Sequence, residues 1–133
     1  MGIVESRVSA LHGFPYRYTT IALSSHECEQ VLAKFMLEKE RNKWFQCDEF
    51  DTSDKSPGEV REWLRTLGIQ GPVSVVWIGL GEGIHIDFSD FVHFYDDLWF
   101  PSSDDVLVVS SPGTDAAVML SHEELFTALR DAV

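Results

Sequence analysis

The chain has 133 residues, of which 44% are hydrophobic and 12% aromatic, and this apolar content excludes a disordered acidic tail. Its formal net charge is −12 at pH 7, and residues 66–129 contain ten Asp or Glu but no Lys or Arg. Such an excess of negative charge disfavours contact with nucleic-acid phosphates and with anionic membranes. It favours a basic protein surface as the partner.

The chain is expected to begin irregularly and then to form a strand and a helix. The strand is predicted over residues 16–23, where aromatic and β-branched residues cluster. Ser24 and Glu27 have the capping-box spacing that begins a helix. Apolar residues at helical spacing follow, and we expect this helix to end near Arg41.

A second helix is predicted after a strand and a polar loop. The strand is expected over residues 43–47, and the loop over residues 48–55. Ser56 and Glu59 repeat the capping-box spacing, and Gly68 suits the end of the helix. Both helices are expected to pack against the core, and neither is assigned any chemistry.

The second half of the chain is dominated by β-prone segments. Residues 79–83 predict a hairpin turn, because their glycine spacing fits no phosphate-binding loop and Glu82 would repel phosphate. Ser121 and Glu124 predict a last short helix. A turn is expected at residues 111–115, and strands over residues 73–78, 84–88, 91–95, 105–110 and 116–120.

Strand follows strand here with no helix between, which favours antiparallel pairing over βαβ units. We therefore expect one α+β domain over residues 1–133. It should contain an antiparallel sheet of four to six strands, with two main helices and a short C-terminal helix packed on it.

The candidate site is the acidic, aromatic stretch between the strands predicted at 91–95 and 105–110. Trp99 and Phe100 are adjacent, so one ring is expected inside and the other on the surface as an anchor for a partner. No Lys or Arg lies nearby in the sequence to balance the aspartates. The acidic residues expected to face the partner are Asp96, Asp97, Asp104 and Asp105, with Glu82, Asp87 and Asp90 extending the field.

Two other functions are considered. A small metal- or carboxylate-dependent enzyme would use His85 and Asp87, which share a strand face, together with His93. An acidic adaptor or DNA-mimic protein would bind many basic proteins. No nucleophile motif or metal-ligand spacing is present, so we expect no catalytic residues, no metal and no cofactor.

The sequence favours a cytoplasmic protein that does not bind membranes. Its two cysteines, Cys28 and Cys47, suit a reducing compartment, and no apolar run approaches the roughly 18 residues needed to span a bilayer. The N-terminus lacks the basic-then-apolar pattern of a signal peptide. Both a monomer and a homodimer are compatible with the sequence.

Residues 95–126 resemble the C-terminal half of small acidic immunity proteins of bacterial polymorphic and contact-dependent toxin systems. The resemblance lies in the segment DLWFPSSDDV at residues 97–106 and in LSHEELF at residues 120–126. It implies a cognate partner, namely a basic toxin domain, often a nuclease, whose cationic surface the protein would cover. It implies no catalytic residue.

Overall fold

The computed structural model describes residues 2–11, 21–101, 103–110 and 116–131. Four helices occur in these segments: α1 (Ile3–Ser9), α2 (Ser25–Glu40), α3 (Pro57–Thr66) and α4 (Phe88–Leu98). The strands are β1 (Ile21–Leu23), β2 (Trp44–Asp51), β3 (Pro72–Ile78), β4 (Glu82–Asp87), β5 (Asp105–Ser110), β6 (Ala116–Leu120) and β7 (Leu125–Asp131).

All seven strands belong to one sheet in the order β1-β4-β3-β5-β6-β7-β2, and every neighbouring pair is antiparallel. This confirms the α+β class and the antiparallel sheet. The expected four to six strands were too few. β7 was predicted as a helix, and it is this strand that joins β2 to the rest of the sheet.

Helices cover both faces of the sheet. The larger core cluster lies between the sheet and α1, α3 and α4, while a smaller cluster lies under α2, where Phe35 contacts Trp44 with 5.5 Å between ring centroids. Central strands β3 and β5 are therefore buried on both faces. This burial explains their nearly continuous apolar sequences.

The starts predicted for the two main helices are confirmed. At α2, Ser24 and Glu27 make both hydrogen bonds of a capping box, and Ser56 and Glu59 do the same at α3. Gly68 follows α3 with φ +70°, a left-handed conformation that glycine adopts without a steric penalty. A third helix near the N-terminus, α1, was not expected.

Residues 91–95 are helical, so the strand predicted there is wrong. Asp87 caps α4 by accepting a hydrogen bond from the Ser89 backbone N–H at 3.2 Å. The side chains that α4 buries recur at helical spacing, and they are Phe88, Phe91, Val92, Tyr95 and Leu98. The run of aromatic residues suggested a strand, but the spacing of the buried positions is that of a helix.

The short helix predicted after Ser121 is also wrong, because residues 125–131 form β7 between β6 and β2. Ser121 and Glu124 instead form a turn in which the Glu124 N–H donates to the Ser121 carbonyl at 3.0 Å. Glu124 has φ +66°. Pairing with two neighbouring strands outweighs the local helix signal.

The remaining strand predictions hold, with changes in length. β2 continues to Asp51, so residues 48–51 are strand and only the following residues are loop. β1 confirms the end of the strand predicted at 16–23, whereas its start and the turn predicted at 111–115 lie outside the described residues. Among the helices of the described segments, none combines the length and apolar character required to cross a bilayer.

Candidate protein-binding surface

Asp104 is buried and holds the loop between α4 and β5. Its side chain accepts hydrogen bonds from Arg7 Nη1 at 2.7 Å, from the Phe100 N–H at 2.9 Å and from Ser103 Oγ at 3.1 Å. The residue is only 5% exposed. Asp104 was predicted to face a partner, but its carboxylate is turned inward and stabilises the loop.

One of the two adjacent aromatic residues is buried and the other is exposed, as predicted. Trp99 is buried, with its ring centroid 4.8 Å from that of Phe126 and its indole N–H donating to the Asp104 carbonyl. Phe100 remains 39% exposed, and the Arg7 guanidinium lies 4.1 Å from its ring centroid. The exposed ring is thus held by a cation–π contact on a loop that Asp104 fixes.

The expectation that no basic residue balances these aspartates is wrong. Besides the pair between Arg7 and Asp104, Arg61 of α3 lies 2.5 Å from Asp96 and donates to the His93 carbonyl. Burial raises the pKa of the neighbouring Tyr95 to about 12, although the positive charge of Arg61 acts to lower this pKa. Both arginines come from helices in the first half of the chain, which pack beside α4.

Asp97 and Asp105 face solvent. Asp97 is exposed in the last turn of α4. Asp105 Oδ1 lies 2.9 Å from His122 Nδ1 and also accepts a hydrogen bond from the backbone N–H of His122. Partial burial raises the pKa of Asp105, but the hydrogen bonds from His122 outweigh this and hold it below its usual value. The hydrogen bond to Asp105 and the negative charge of Asp105 raise the pKa of His122.

The other three predicted carboxylates are spread along β4 and α4. Glu82 accepts hydrogen bonds from the first N–H groups of α1, at 3.0 Å from Val4 and 3.2 Å from Ile3. Asp87 caps α4, and Asp90 lies in its first turn. Since β4 rises about 3.3 Å per residue, Asp87 and Asp90 lie well away from Glu82 and from the aspartates after α4.

The structure nevertheless concentrates negative charge at one end of the sheet, where β5 and β7 begin and β2, β3 and β6 end. We call this the acidic end. Among the described residues, the ends of strands, the connections between them and the last turn of α4 bring nine carboxylates there, and the nearby basic residues are Arg7, Lys55 and Arg61. The nine are Asp51, Asp54, Glu82, Asp96, Asp97, Asp104, Asp105, Glu123 and Glu124.

Four of these residues were not predicted as part of a site: Asp51, Asp54, Glu123 and Glu124. They meet because Asp51 pairs with Leu125 and because the Thr52 N–H donates to the Glu124 carbonyl at 2.8 Å. More than 70 residues separate the two segments, so no local signal in the sequence joins them. The pairing of β2 with β7 creates this part of the surface.

Among the described residues, the opposite end of the sheet is nearly balanced in charge. Five basic residues lie there near the ends of α2, α3 and β7, together with six carboxylates. The basic residues are Lys39, Arg41, Lys43, Arg65 and Arg130, and the carboxylates are Glu38, Glu40, Glu62, Asp87, Asp90 and Asp131. The protein is therefore polarised along its strands, and the net negative charge is strongest at the acidic end.

The residues proposed for a metal-dependent enzyme do not assemble a site. His85 lies 3.5 Å from Ser74 Oγ on β3, whereas His93 is exposed on α4. Within the part of the chain that the structure describes, no three His, Cys, Asp or Glu side chains gather as ligands for a metal ion.

Comparisons of the chain with protein-family models, with curated proteins and with solved structures find no match. Geometry and charge are therefore the basis for any functional interpretation of the acidic end.

Proposed function

We propose that the protein is an immunity-type inhibitor that binds a cognate basic toxin domain through the acidic end. The observation that supports this most is the concentration of nine carboxylates against three basic side chains at one end of the sheet. Two of those basic side chains, Arg7 and Arg61, are largely buried in ion pairs. The same pairs bury Asp104 and partly bury Asp96. A cationic protein would therefore meet the other seven carboxylates and Lys55, which itself lies 2.7 Å from Asp54.

Charge and apolar contact have separate tasks in this proposal. The field of the acidic end speeds the encounter, since complementary charge raises association rates by about 10- to 1,000-fold at low salt. Phe100 then supplies a ring that is already exposed and already oriented by Arg7. Little conformational entropy is lost when a pre-oriented ring enters a pocket of the partner.

The position of the charge, and not only its amount, should control association. The test takes as partner any basic domain that a neighbouring gene encodes, and it compares the Asp97→Lys/Glu123→Lys variant with the Glu40→Lys/Glu62→Lys variant. All four residues are exposed, and the two variants change the net charge equally. Stopped-flow association at low salt should slow about tenfold for the first variant and less than about twofold for the second.

Equal rates for the two variants would contradict a role for the acidic end. Failure of the wild-type chain to bind the basic domain, or to protect cells that express it, would contradict the inhibitor function itself. A third outcome, equal binding to many unrelated basic proteins, would favour an adaptor or DNA mimic over an inhibitor with one partner.

A further inference from the structure

We propose that edge strand β2 receives an extended basic segment of the partner as an additional strand of the sheet. This inference rests on the proposed function and specifies how the cationic partner is held. Among the described strands, β2 is the last in the sheet and has β7 as its only neighbour. The outer side of β2 therefore presents backbone groups that no strand of the sheet pairs.

The length and exposure of β2 make it a usable template. β2 has eight residues, and all of them are described. Residues 45–49 and Asp51 are exposed, so no part of the chain that the structure describes covers this edge. A long open edge provides a row of backbone donors and acceptors, which is the basis of strand addition.

Charge selects the occupant of this edge. Asp48, Glu49 and Asp51 lie on β2, and a second copy of the chain would bring its own β2 carboxylates opposite them. Like charges on facing strands destabilise pairing, whereas lysine or arginine opposite these residues stabilises it. The acidic strand thus disfavours self-association and favours a basic segment. Asp51 also belongs to the acidic end, so the field that attracts the partner extends onto β2.

The register predicts the pattern of the incoming strand. Glu49 and Asp51 pair with Thr127 and Leu125, so their side chains share one face of the sheet. Phe50, between them, faces the other side, where it stacks on Trp63 with ring centroids 5.1 Å apart. A fitting segment therefore carries two basic residues, two positions apart, with an aliphatic residue between them.

A peptide tests this inference without the toxin. The probe is an acetylated, amidated peptide containing the segment Lys-Val-Lys-Lys-Thr-Val, which places basic residues opposite Asp51, Glu49 and Asp48 in antiparallel register. We expect shifts of backbone amide resonances on β2 and slower hydrogen exchange there. The affinity should fall about tenfold for Glu49→Lys and less than about twofold for the control Glu29→Lys, which lies on α2.

Two peptide controls separate strand addition from simple charge attraction. A peptide of the same composition with a scrambled order should bind much more weakly, and one with alternate N-methylated amides should lose the protection of β2. Equal binding of either control, or shifts that map away from β2, would overturn the inference.

The two proposals fail in different ways. If the basic domain binds and responds to Asp97→Lys/Glu123→Lys, but Glu49→Lys leaves its affinity unchanged, strand addition is wrong and the inhibitor function stands. If the peptide adds to β2 but no basic domain is neutralised, the edge is an acceptor strand and the inhibitor function is wrong.

Discussion

The loop between α4 and β5 and edge strand β2 use aspartate in opposite ways. In the loop, Asp104 is buried, pairs with Arg7 and accepts a hydrogen bond from the Phe100 backbone. On β2, Asp48 and Glu49 are exposed at an open edge. The comparison shows that burial and local partners decide whether a carboxylate stabilises the fold or is available to another protein.

The largest effect should come from the buried carboxylate. Asp104→Ala leaves Arg7 mostly buried without its partner and removes the acceptor of the Phe100 N–H. Breaking one side of such a pair costs about 3–5 kcal/mol of unfolding free energy. Urea denaturation measures this loss, and Asp97→Ala, an exposed position in the last turn of α4, should change stability by less than about 0.5 kcal/mol. Similar losses for the two variants would show that burial does not set how much a carboxylate contributes to stability.

A smaller effect is expected on β2 itself, where Asp48 has a structural contact as well as an exposed surface. Its carboxylate accepts a hydrogen bond from the Trp63 indole N–H at 2.8 Å and so ties β2 to α3. Asp48→Ala should cost about 1–2 kcal/mol, because the indole of a buried tryptophan loses its acceptor. Glu49→Ala on the same strand is the control, and an equally large loss there would argue against this hydrogen bond as the cause.

The smallest effect concerns the exposed pair between Asp105 and His122. The pair raises the pKa of His122, so its stabilising contribution is complete below the ordinary histidine pKa of about 6.5 and is lost as pH rises through the raised value. The lowered pKa of Asp105 adds stability above about pH 3.9 that is lost on acidification. The stability difference between wild type and His122→Ala should therefore be largest between these limits.

An NMR titration of His122 checks the cause of this pH dependence. In the Asp105→Asn variant the pKa of His122 should fall toward its ordinary value, because the charged acceptor is gone. An unchanged titration in that variant would show that the pair does not perturb His122.

Local signals in the sequence were sufficient for much of the fold. The two capping boxes, beginning at Ser24 and Ser56, involve residues only three positions apart, and both are formed. The glycine-rich turn between β3 and β4 is a hairpin, as its spacing indicated. Because Trp99 and Phe100 are adjacent, one ring was expected to be buried and the other exposed, and this is observed.

What the sequence alone determined, then, is what depends on neighbours along the chain: the starts of α2 and α3, a tight turn, the α+β class and the excess of negative charge. Tertiary structure decided that residues 125–131 form a strand, that Arg7 and Arg61 neutralise two aspartates, and that β2 joins Asp51 to the acidic end. These outcomes depend on contacts between segments far apart in the sequence. Burial and charge pairing across such contacts are properties of the packed chain, and no local pattern of residues records them.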